Sequence, residues 1–268
     1  MLQVYPIPAF KDNYIWLLNR AGSSIAWVVD PGDAAPVITE LAARGLTLEG
    51  ILVTHHHWDH TGGIEALLDY ASNTQGGHKI RVIGPRNPAI ANVSERVSEG
   101  DSLHLGSISE GDTATAIKVL EVPGHTLDHI AFLIGDALFC GDTLFSAGCG
   151  RLFEGTAAQL HESLAKLEAL PGDTRVFCTH EYTEANLKFA LTAEPQNTAL
   201  ADYADWVKQQ RSEGLPSLPS SLARELAINP FLRTGTDSIR AAVAHHSGIK
   251  PKDDVHTLAL LRQWKDIF

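Results

Sequence analysis

The sequence predicts an α+β fold in which two β-sheets pack together with helices on their outer faces, followed by a small α-helical domain. Three observations predict it. Strand-like and helix-like stretches alternate through the first two thirds of the chain, whereas the clearly periodic segments after His180 are helical. The 268 residues, 44% of them apolar, are near the length at which one domain gives way to two. We therefore expect one domain over residues 1–180 and a second over residues 181–268.

The first strand-rich group opens with a predicted hairpin. Its strands, Tyr14–Leu18 and Ile25–Val29, are short apolar runs with β-branched or aromatic residues, separated by turn residues. A turn at 30–33 precedes a predicted helix, Ala35–Ala43, whose apolar residues recur at helical spacing. The strand expected at Gly50–Thr54 ends at a histidine-rich motif, and a helix should begin directly after it. We expect Asp59 and His60, or their neighbours, in the first turn of that helix.

The same patterns predict further strands and helices along the rest of the chain. Further strands are predicted at Lys79–Ile83, Ile117–Val122, Ile130–Ile134, Ala137–Cys140 and Arg175–Cys178, with a helix at Ala157–Leu170. The helices predicted after His180 are Glu184–Ala193, Thr198–Arg211, Ser221–Ile228 and Asp254–Phe268, separated by proline and glycine. The segment 244–254 has no clear assignment and could form a long loop.

Residues 54–60 read Thr-His-His-His-Trp-Asp-His, so three imidazoles and a carboxylate follow the spacing HxHxDH. Imidazole nitrogen and carboxylate oxygen suit zinc, iron or manganese. Side chains alternate sides in an extended segment, so His55 and His57 can face one cation while His56 points away. Asp59 and His60 follow at the turn into the helix, where they can reach a second cation. The motif therefore predicts a dinuclear metal hydrolase.

Three further candidate ligands lie at the ends of predicted strands. His125 follows Pro-Gly, Asp142 follows Cys-Gly, and His180 ends the last strand of the sheet-rich part. A carboxylate has two oxygens and can bridge two cations, so Asp142 is the natural shared ligand. We expect one metal to be bound by His55, His57, His125 and Asp142, and the other by Asp59, His60, Asp142 and His180. The remaining histidines are interpreted as surface or capping residues: His78, His104, His129, His161, His245, His246 and His256.

Charge and cysteine content exclude several classes of protein. The net charge of −11 disfavours nucleic acid or an anionic membrane as a partner, and no apolar run is long enough for a membrane span. The three cysteines are too few and scattered for a disulfide framework, and are expected to be small buried hydrophobic residues. The N-terminal sequence has no secretory pattern. We therefore expect a cytoplasmic protein. We also expect a monomer.

The motifs THHHWDH, PGHT at 123–126, GDTLF at 141–145 and CTHEYT at 178–183 resemble those of the metallo-β-lactamase superfamily. FKDNY at 10–14, AGCGRLFEGT at 147–156, INPFLR at 228–233 and LRQWKD at 261–266 are similar to the hydroxyacylglutathione hydrolases, the glyoxalase II family. The resemblance implies an αββα sandwich and a helical substrate-binding domain. It also implies hydrolysis of S-D-lactoylglutathione to D-lactate and glutathione, the second step of methylglyoxal detoxification.

The expected chemistry follows from two divalent cations, with zinc as the first choice and iron or manganese as alternatives. Because one zinc lowers the pKa of bound water to about 7, a metal-bridging hydroxide is the expected nucleophile, and a cation can stabilise the oxyanion. A thiolate, with a parent pKa of about 8.5, leaves with little proton donation, so a thioester suits this site. Asp59 could ligate metal and also orient the hydroxide or accept its proton.

Glutathione conjugates carry two carboxylates and need fixed positive charge. Arg262 and Lys265 lie three apart on the predicted final helix and match the family's two basic glutathione-binding positions. The resemblance also assigns substrate contacts to Arg151, to Tyr182, and to Phe153, which replaces a common tyrosine and could cost one hydroxyl contact. A lactonase or phosphodiesterase on the same scaffold, a secreted β-lactamase and a non-enzymatic metal-binding protein remain the alternatives.

Overall fold

The computed structural model describes residues 2–76, 79–105 and 116–268. The described chain forms two compact units. The first unit comprises Met1–Glu121 and Asp128–Gly141, and the second comprises Val122–Leu127 and Asp142–Phe268. None of the helices in these ranges is long and apolar enough to span a membrane. The expected domain boundary after residue 180 stays a prediction.

The first unit contains two groups of paired strands. One sheet has the order β1 (Leu2–Ala9), β2 (Asn13–Arg20), β3 (Ile25–Val29), β4 (Thr47–Leu52), β5 (Arg81–Pro85) and β6 (Glu95–Val97). In the other group each strand is antiparallel to the next: β7 (Ser102–His104), β8 (Ala116–Glu121), β9 (Ile130–Ile134) and β10 (Ala137–Gly141). β9 and β10 are buried on both faces, as covered strands are. One hydrogen bond between the two groups of strands joins the Ile130 N–H, as donor, to the carbonyl oxygen of Thr54 at 2.9 Å.

The described residues of the first unit also form three helices: α1 (Ala34–Arg44), α2 (Trp58–Thr61) and α3 (Ile64–Thr74). Asp33 caps α1 by accepting a hydrogen bond from the Ala35 N–H, and the left-handed Gly45 ends the helix. Buried side chains of α1 and α3 belong to the same hydrophobic core as the strand residues of the first sheet. These two amphipathic helices therefore bury their apolar faces against that sheet.

The second unit is mostly helical. It contains a short hairpin of β11 (Leu144–Phe145) and β12 (Gly148–Cys149), and an antiparallel pair of β13 (Arg175–Cys178) and β14 (Ser220–Ser221). Its helices are α4 (Ala157–Glu168), α5 (Thr183–Ala193), α6 (Thr198–Ser212), α7 (Leu222–Ile228), α8 (Asp237–Ser247) and α9 (Asp254–Ile267). Buried residues of α5, α6 and α7 share one core cluster. The chain is thus α+β, with the C-terminal part helical.

Most predicted elements are confirmed, and β9 and β13 have the predicted bounds. Three differ. Asp59 and His60 lie in the separate one-turn helix α2 instead of the first turn of α3, because Gly62 and Gly63 interrupt the helix. The strand β1 was not predicted, because its prolines disrupt the strand pattern in the sequence. It lies at the edge of the sheet, where proline is tolerated. The suggested loop over 244–254 is helical up to Ser247, since α8 extends from its cap Thr236 to the left-handed Gly248.

Candidate metal centre

The motif of residues 54–60 begins two residues after the end of β4, at the carboxyl edge of the first sheet. His55 is fully buried, and its Nε2 lies 3.0 Å from Nδ1 of His57. In α2, Nε2 of His60 lies 3.7 Å from Oδ2 of Asp59. The ligand atoms of His55 and His60 are also within 4.8 Å of each other. The first unit therefore gathers four metal-capable side chains from one short segment.

Asp30 fixes this segment, although the sequence interpretation treated it only as part of a turn. It follows β3 and is buried, with a positive φ of 52°. Its carboxylate accepts hydrogen bonds from the N–H and the hydroxyl of Thr54, both at 2.8 Å, and lies 2.9 Å from Nδ1 of His60. A carboxylate on one ring nitrogen orients the other nitrogen toward a metal. The only signal available in the sequence was an aspartate directly after a predicted strand.

Asn13 also supports the motif and was not singled out from the sequence. Its side-chain amide donates to Oδ2 of Asp59 at 3.1 Å. Asn13 begins β2, so a residue from a different strand holds the carboxylate of α2. This hydrogen bond restricts the orientation of Asp59.

Two other histidines, His56 within the motif and His129 close to it, have separate contacts. Nδ1 of His56 lies 2.9 Å from Oδ1 of Asp128. His129, interpreted as a surface or capping residue, is instead 1% exposed and stacks on His55, with ring centroids 4.5 Å apart. The reason is that His129 directly precedes β9, whose first residue is bonded to Thr54. Elsewhere, His104 and His245 are exposed as expected, and His78 lies outside the described residues.

The second unit gathers the other three candidate ligands. Oδ2 of Asp142 lies 3.5 Å from Nε2 of His125 and 3.3 Å from Nε2 of His180. All three residues are buried, with at most 6% of their surface exposed. Nδ1 of His125 lies 2.8 Å from the Arg151 carbonyl oxygen, and the His180 ring stacks on Tyr182 with centroids 4.6 Å apart. Each imidazole is therefore oriented through a contact away from Asp142.

These distances suit a divalent cation. Two ligand atoms at 2.0–2.1 Å from a tetrahedral zinc are about 3.3 Å apart, close to the separations within both groups. Imidazole and carboxylate are the ligand types that zinc, iron and manganese accept. Second contacts on His60 and His125 are also typical of metal-bound histidine. The residues present thus fit a divalent metal site.

A cavity of about 670 Å³ in the second unit is lined by His125 and Asp142, and also by all five predicted substrate-contacting residues: Arg151, Phe153, Tyr182, Arg262 and Lys265. Arg262 is 4% exposed, and its Nη1 donates to the Cys149 carbonyl oxygen at 3.0 Å. Nζ of Lys265 donates to the Ala185 carbonyl oxygen at 3.2 Å. The cavity therefore combines candidate metal ligands with four basic side chains in an acidic protein, because Lys188, which the sequence interpretation missed, also lines it.

Burial shifts the pKa values of two side chains that line this cavity. Burial, with a further contribution from the positive charge of Arg262, lowers the pKa of Lys265 to about 8. Burial raises the pKa of the Cys149 thiol to about 11, against the opposing effect of Arg262. All three cysteines are free and buried, which confirms the expectation from the sequence. Cys149 is thus a protonated thiol near neutral pH.

Comparison with known proteins matches the whole chain. The family model described as "Metallo-beta-lactamase superfamily" matches residues 10–180, and that described as "Hydroxyacylglutathione hydrolase C-terminus" matches residues 181–268. Proteins named hydroxyacylglutathione hydrolase from Shewanella halifaxensis and Chromohalobacter salexigens are each 51% identical over 100% of both chains. Their counterpart from Shewanella denitrificans is 47% identical over the same share.

Solved structures agree on the fold. ETHE1 from Myxococcus xanthus is similar with a TM-score of 0.63 and 24% identity, covering 99% of both chains. The BLEG-1 B3 metallo-beta-lactamase gives a TM-score of 0.61 with 23% identity over 87% of this chain and 99% of that one. Likeness at this identity supports the metallo-β-lactamase fold alone.

Proposed function

The chain belongs to the metallo-β-lactamase superfamily and, within it, to the hydroxyacylglutathione hydrolases, and on this premise we propose that it hydrolyses S-D-lactoylglutathione. Other S-2-hydroxyacylglutathiones are substrates of the same kind, and the products are the 2-hydroxy acid and glutathione. The reaction is the second step of methylglyoxal degradation. One observation carries the proposal: the cavity lined by His125 and Asp142 also contains four basic side chains, which suit a dianionic peptide.

We propose that the chain binds two divalent cations, zinc first, with iron or manganese as alternatives. His55, His57, His125 and Asp142 would bind one, and Asp59, His60, Asp142 and His180 the other, with Asp142 shared. The donor types and the short distances within each group support this assignment. When bound, the cations supply an acidified water and positive charge for the developing oxyanion.

Asp59 is the proposed proton acceptor. Asn13 holds one carboxylate oxygen at 3.1 Å, so the orientation of the other is restricted. A carboxylate so placed can orient the attacking water and accept its proton. The leaving thiolate, with a parent pKa of about 8.5, departs with little proton donation, so no separate acid is required of the chain.

The basic side chains are proposed to bind the glutathione portion. Arg262 offers a buried, permanently charged guanidinium suited to a carboxylate, and Lys265 offers a second positive charge. Arg151, Phe153 and Tyr182 complete the proposed substrate contacts. Phe153 is 64% exposed and meets His125 edge-on at 5.2 Å, so it can contact the peptide only through its ring. The missing hydroxyl is expected to weaken binding without affecting the chemical step.

We also propose that the protein is a cytoplasmic monomer whose partner is this small-molecule substrate. The three free, buried cysteines support a reducing compartment. The acidic net charge supports the absence of nucleic acid and anionic membrane among its partners.

The proposed function is tested by thiol release from S-D-lactoylglutathione by the metal-loaded protein, compared with hydrolysis of a lactone and a phosphodiester. We expect the thioester to be hydrolysed fastest. A protein that releases no thiol while holding two metal ions per chain would be a metal-binding protein instead. Preference for the phosphodiester or the lactone would equally contradict the proposal.

Asp142→Ala tests the shared ligand. We expect activity to fall by at least about a thousandfold, with loss of metal from both sites, because both proposed sites use this carboxylate. Metal content is measured by elemental analysis beside the thiol assay. Asp173→Ala, at an exposed turn of the same unit, is the control and should retain both properties. Normal turnover by Asp142→Ala would disprove the assignment.

A further inference from the structure

Glu225 is a completely buried acidic residue in α7, outside the proposed metal and substrate contacts. Burying a carboxylate is costly unless donors replace its water. Here four donors do so. Oε1 accepts from the hydroxyls of Ser146, at 2.9 Å, and Ser220, at 2.5 Å. Oε2 accepts from the Ala147 N–H at 2.8 Å and the Asn229 amide at 3.1 Å. Such complete satisfaction indicates a carboxylate with a defined role.

The residues that donate to Glu225 show which part of the chain it holds in place. Ser146 and Ala147 are the two turn residues of the β11–β12 hairpin, and Ala147 has the positive φ of 55° that L-residues seldom adopt. Asn229, at the end of α7, also donates to the carbonyl oxygens of Phe145, at 3.0 Å, and Gly148, at 2.9 Å. Glu225 and Asn229 together therefore fix the turn and both strands of this hairpin.

The hairpin in turn contributes to fixing Arg262, which also forms an ion pair with Oδ1 of Asp266 at 3.1 Å. Nη1 of Arg262 donates to the carbonyl oxygen of Cys149, the last residue of the hairpin, at 3.0 Å. The guanidinium also lies 5.1 Å from the centre of the Phe231 ring, and the Phe231 N–H donates to Oδ1 of Asn229 at 3.1 Å. The contacts of Arg262 with Cys149 and with Phe231 are thus both to residues that Glu225 or Asn229 holds in place.

We propose that Glu225 is a positioning residue for glutathione recognition, which holds the 144–149 hairpin so that Arg262 presents its guanidinium to the substrate carboxylate. The inference rests on the proposed function. Burial raises the pKa of Glu225, while its hydrogen bonds act in the opposite direction. Glutamine has the same shape but only one acceptor oxygen, so at least two of the four donors lose their partner.

Glu225→Gln is the direct test. We expect KM for S-D-lactoylglutathione to rise about tenfold while kcat changes less than about twofold, the pattern of lost ground-state binding. Glu194→Gln is the matched control. Glu194 is also a buried carboxylate of the second unit, but it binds Arg233 at 2.8 Å and Ser238 at 2.6 Å instead of the hairpin. Its substitution should leave KM unchanged.

Two further measurements separate positioning from general stability. In an Arg262→Ala background, Glu225→Gln should have little additional effect on kcat/KM, because its action passes through Arg262. A lactoyl thioester of N-acetylcysteamine lacks the glutathione carboxylates, so Glu225→Gln should hydrolyse it at the wild-type rate. Additive losses in the double variant, or an equal loss with the truncated thioester, would overturn the proposal.

Ser146→Ala provides a second route if Glu225→Gln does not fold. It removes one donor and keeps the carboxylate, so a smaller rise in KM is expected, and an unchanged KM would refute the inference. Failure of this inference is distinguishable from failure of the proposed function. If wild type hydrolyses S-D-lactoylglutathione and only the variants behave unexpectedly, the positioning role alone is wrong.

Discussion

Lys265 is the residue whose ionisation is most relevant to binding. Its Nζ lies 5.1 Å from the centre of the Phe189 ring, and burial together with Arg262 lowers its pKa to about 8. Lys265 therefore carries its charge below about pH 8 and loses it as pH rises further. Since the neutral amine attracts a carboxylate weakly, kcat/KM for S-D-lactoylglutathione should fall above pH 8.

Lys265→Arg checks this directly, because guanidinium stays protonated throughout the range. We expect the decline near pH 8 to disappear in profiles from pH 6 to 10, corrected for spontaneous thioester hydrolysis. The same decline in both proteins would assign it to another group. The effect on stability has the opposite sign: between about pH 8 and the ordinary pKa of 10.5 the unfolded state binds more protons, so this group makes stability rise with pH.

The candidate ligands predicted from the sequence lie in a compact motif or at the end of a predicted strand, in two cases directly after a glycine. His55, His57, Asp59 and His60 are all within one segment, so spacing alone identified them. Asp30 was missed because its role depends on Thr54 and His60, which lie in another part of the chain. His129 was misassigned for the same reason, since nothing in its own neighbourhood predicts stacking on His55.

The one-turn helix α2 depends on close backbone packing, which Gly32→Ala would disturb. A Cβ at Gly32 would overlap the carbonyl oxygen of Asp59 and lie 2.7 Å from the Phe10 ring. We expect α2 to shift, weakening metal binding and lowering kcat by on the order of a hundredfold. Gly172→Ala is the control, because its Cβ would meet its nearest neighbour, in Ala223, at 3.4 Å. Metal content and activity equal to wild type in Gly32→Ala would contradict this packing argument.

Local pattern predicted the elements that have a strong pattern of their own. β9 and β13 are short, mostly apolar runs with clear limits in the sequence, and their observed bounds are the predicted ones. β1 depends on pairing with β2 along its whole length, and its prolines obscure the strand pattern. The helical segment at α8 had usable signals in Thr236 and Gly248, which cap it. The remaining elements depend on contacts with residues that are distant in the sequence, so their own sequence pattern does not predict them.

At the scale of the whole molecule, the α+β class followed from the order of strands and helices, but the compact units did not. Residues 122–127 belong with the second unit, whereas the following segment, Asp128–Gly141, belongs with the first. His125 thereby lies beside Asp142 and His180, and His129 beside His55. A linear reading assigns neighbouring residues to the same domain and so cannot detect such an exchange.

The proposed ligands come from four separated stretches of the chain, so metal binding should stabilise the entire fold. A metal that binds only the native state contributes about 4 kcal/mol when its concentration is a thousandfold above Kd. For a chain of this size, that corresponds to a Tm decrease of roughly 10 °C when a chelator removes the metal. Calorimetry with and without chelator measures the shift, and added zinc should restore the original Tm. Asp142→Ala should show almost no shift, whereas Asp173→Ala should match wild type. A wild-type protein whose Tm is unchanged after verified metal loss would contradict this prediction, because it would show that the ion does not bind the native state more tightly than the unfolded chain.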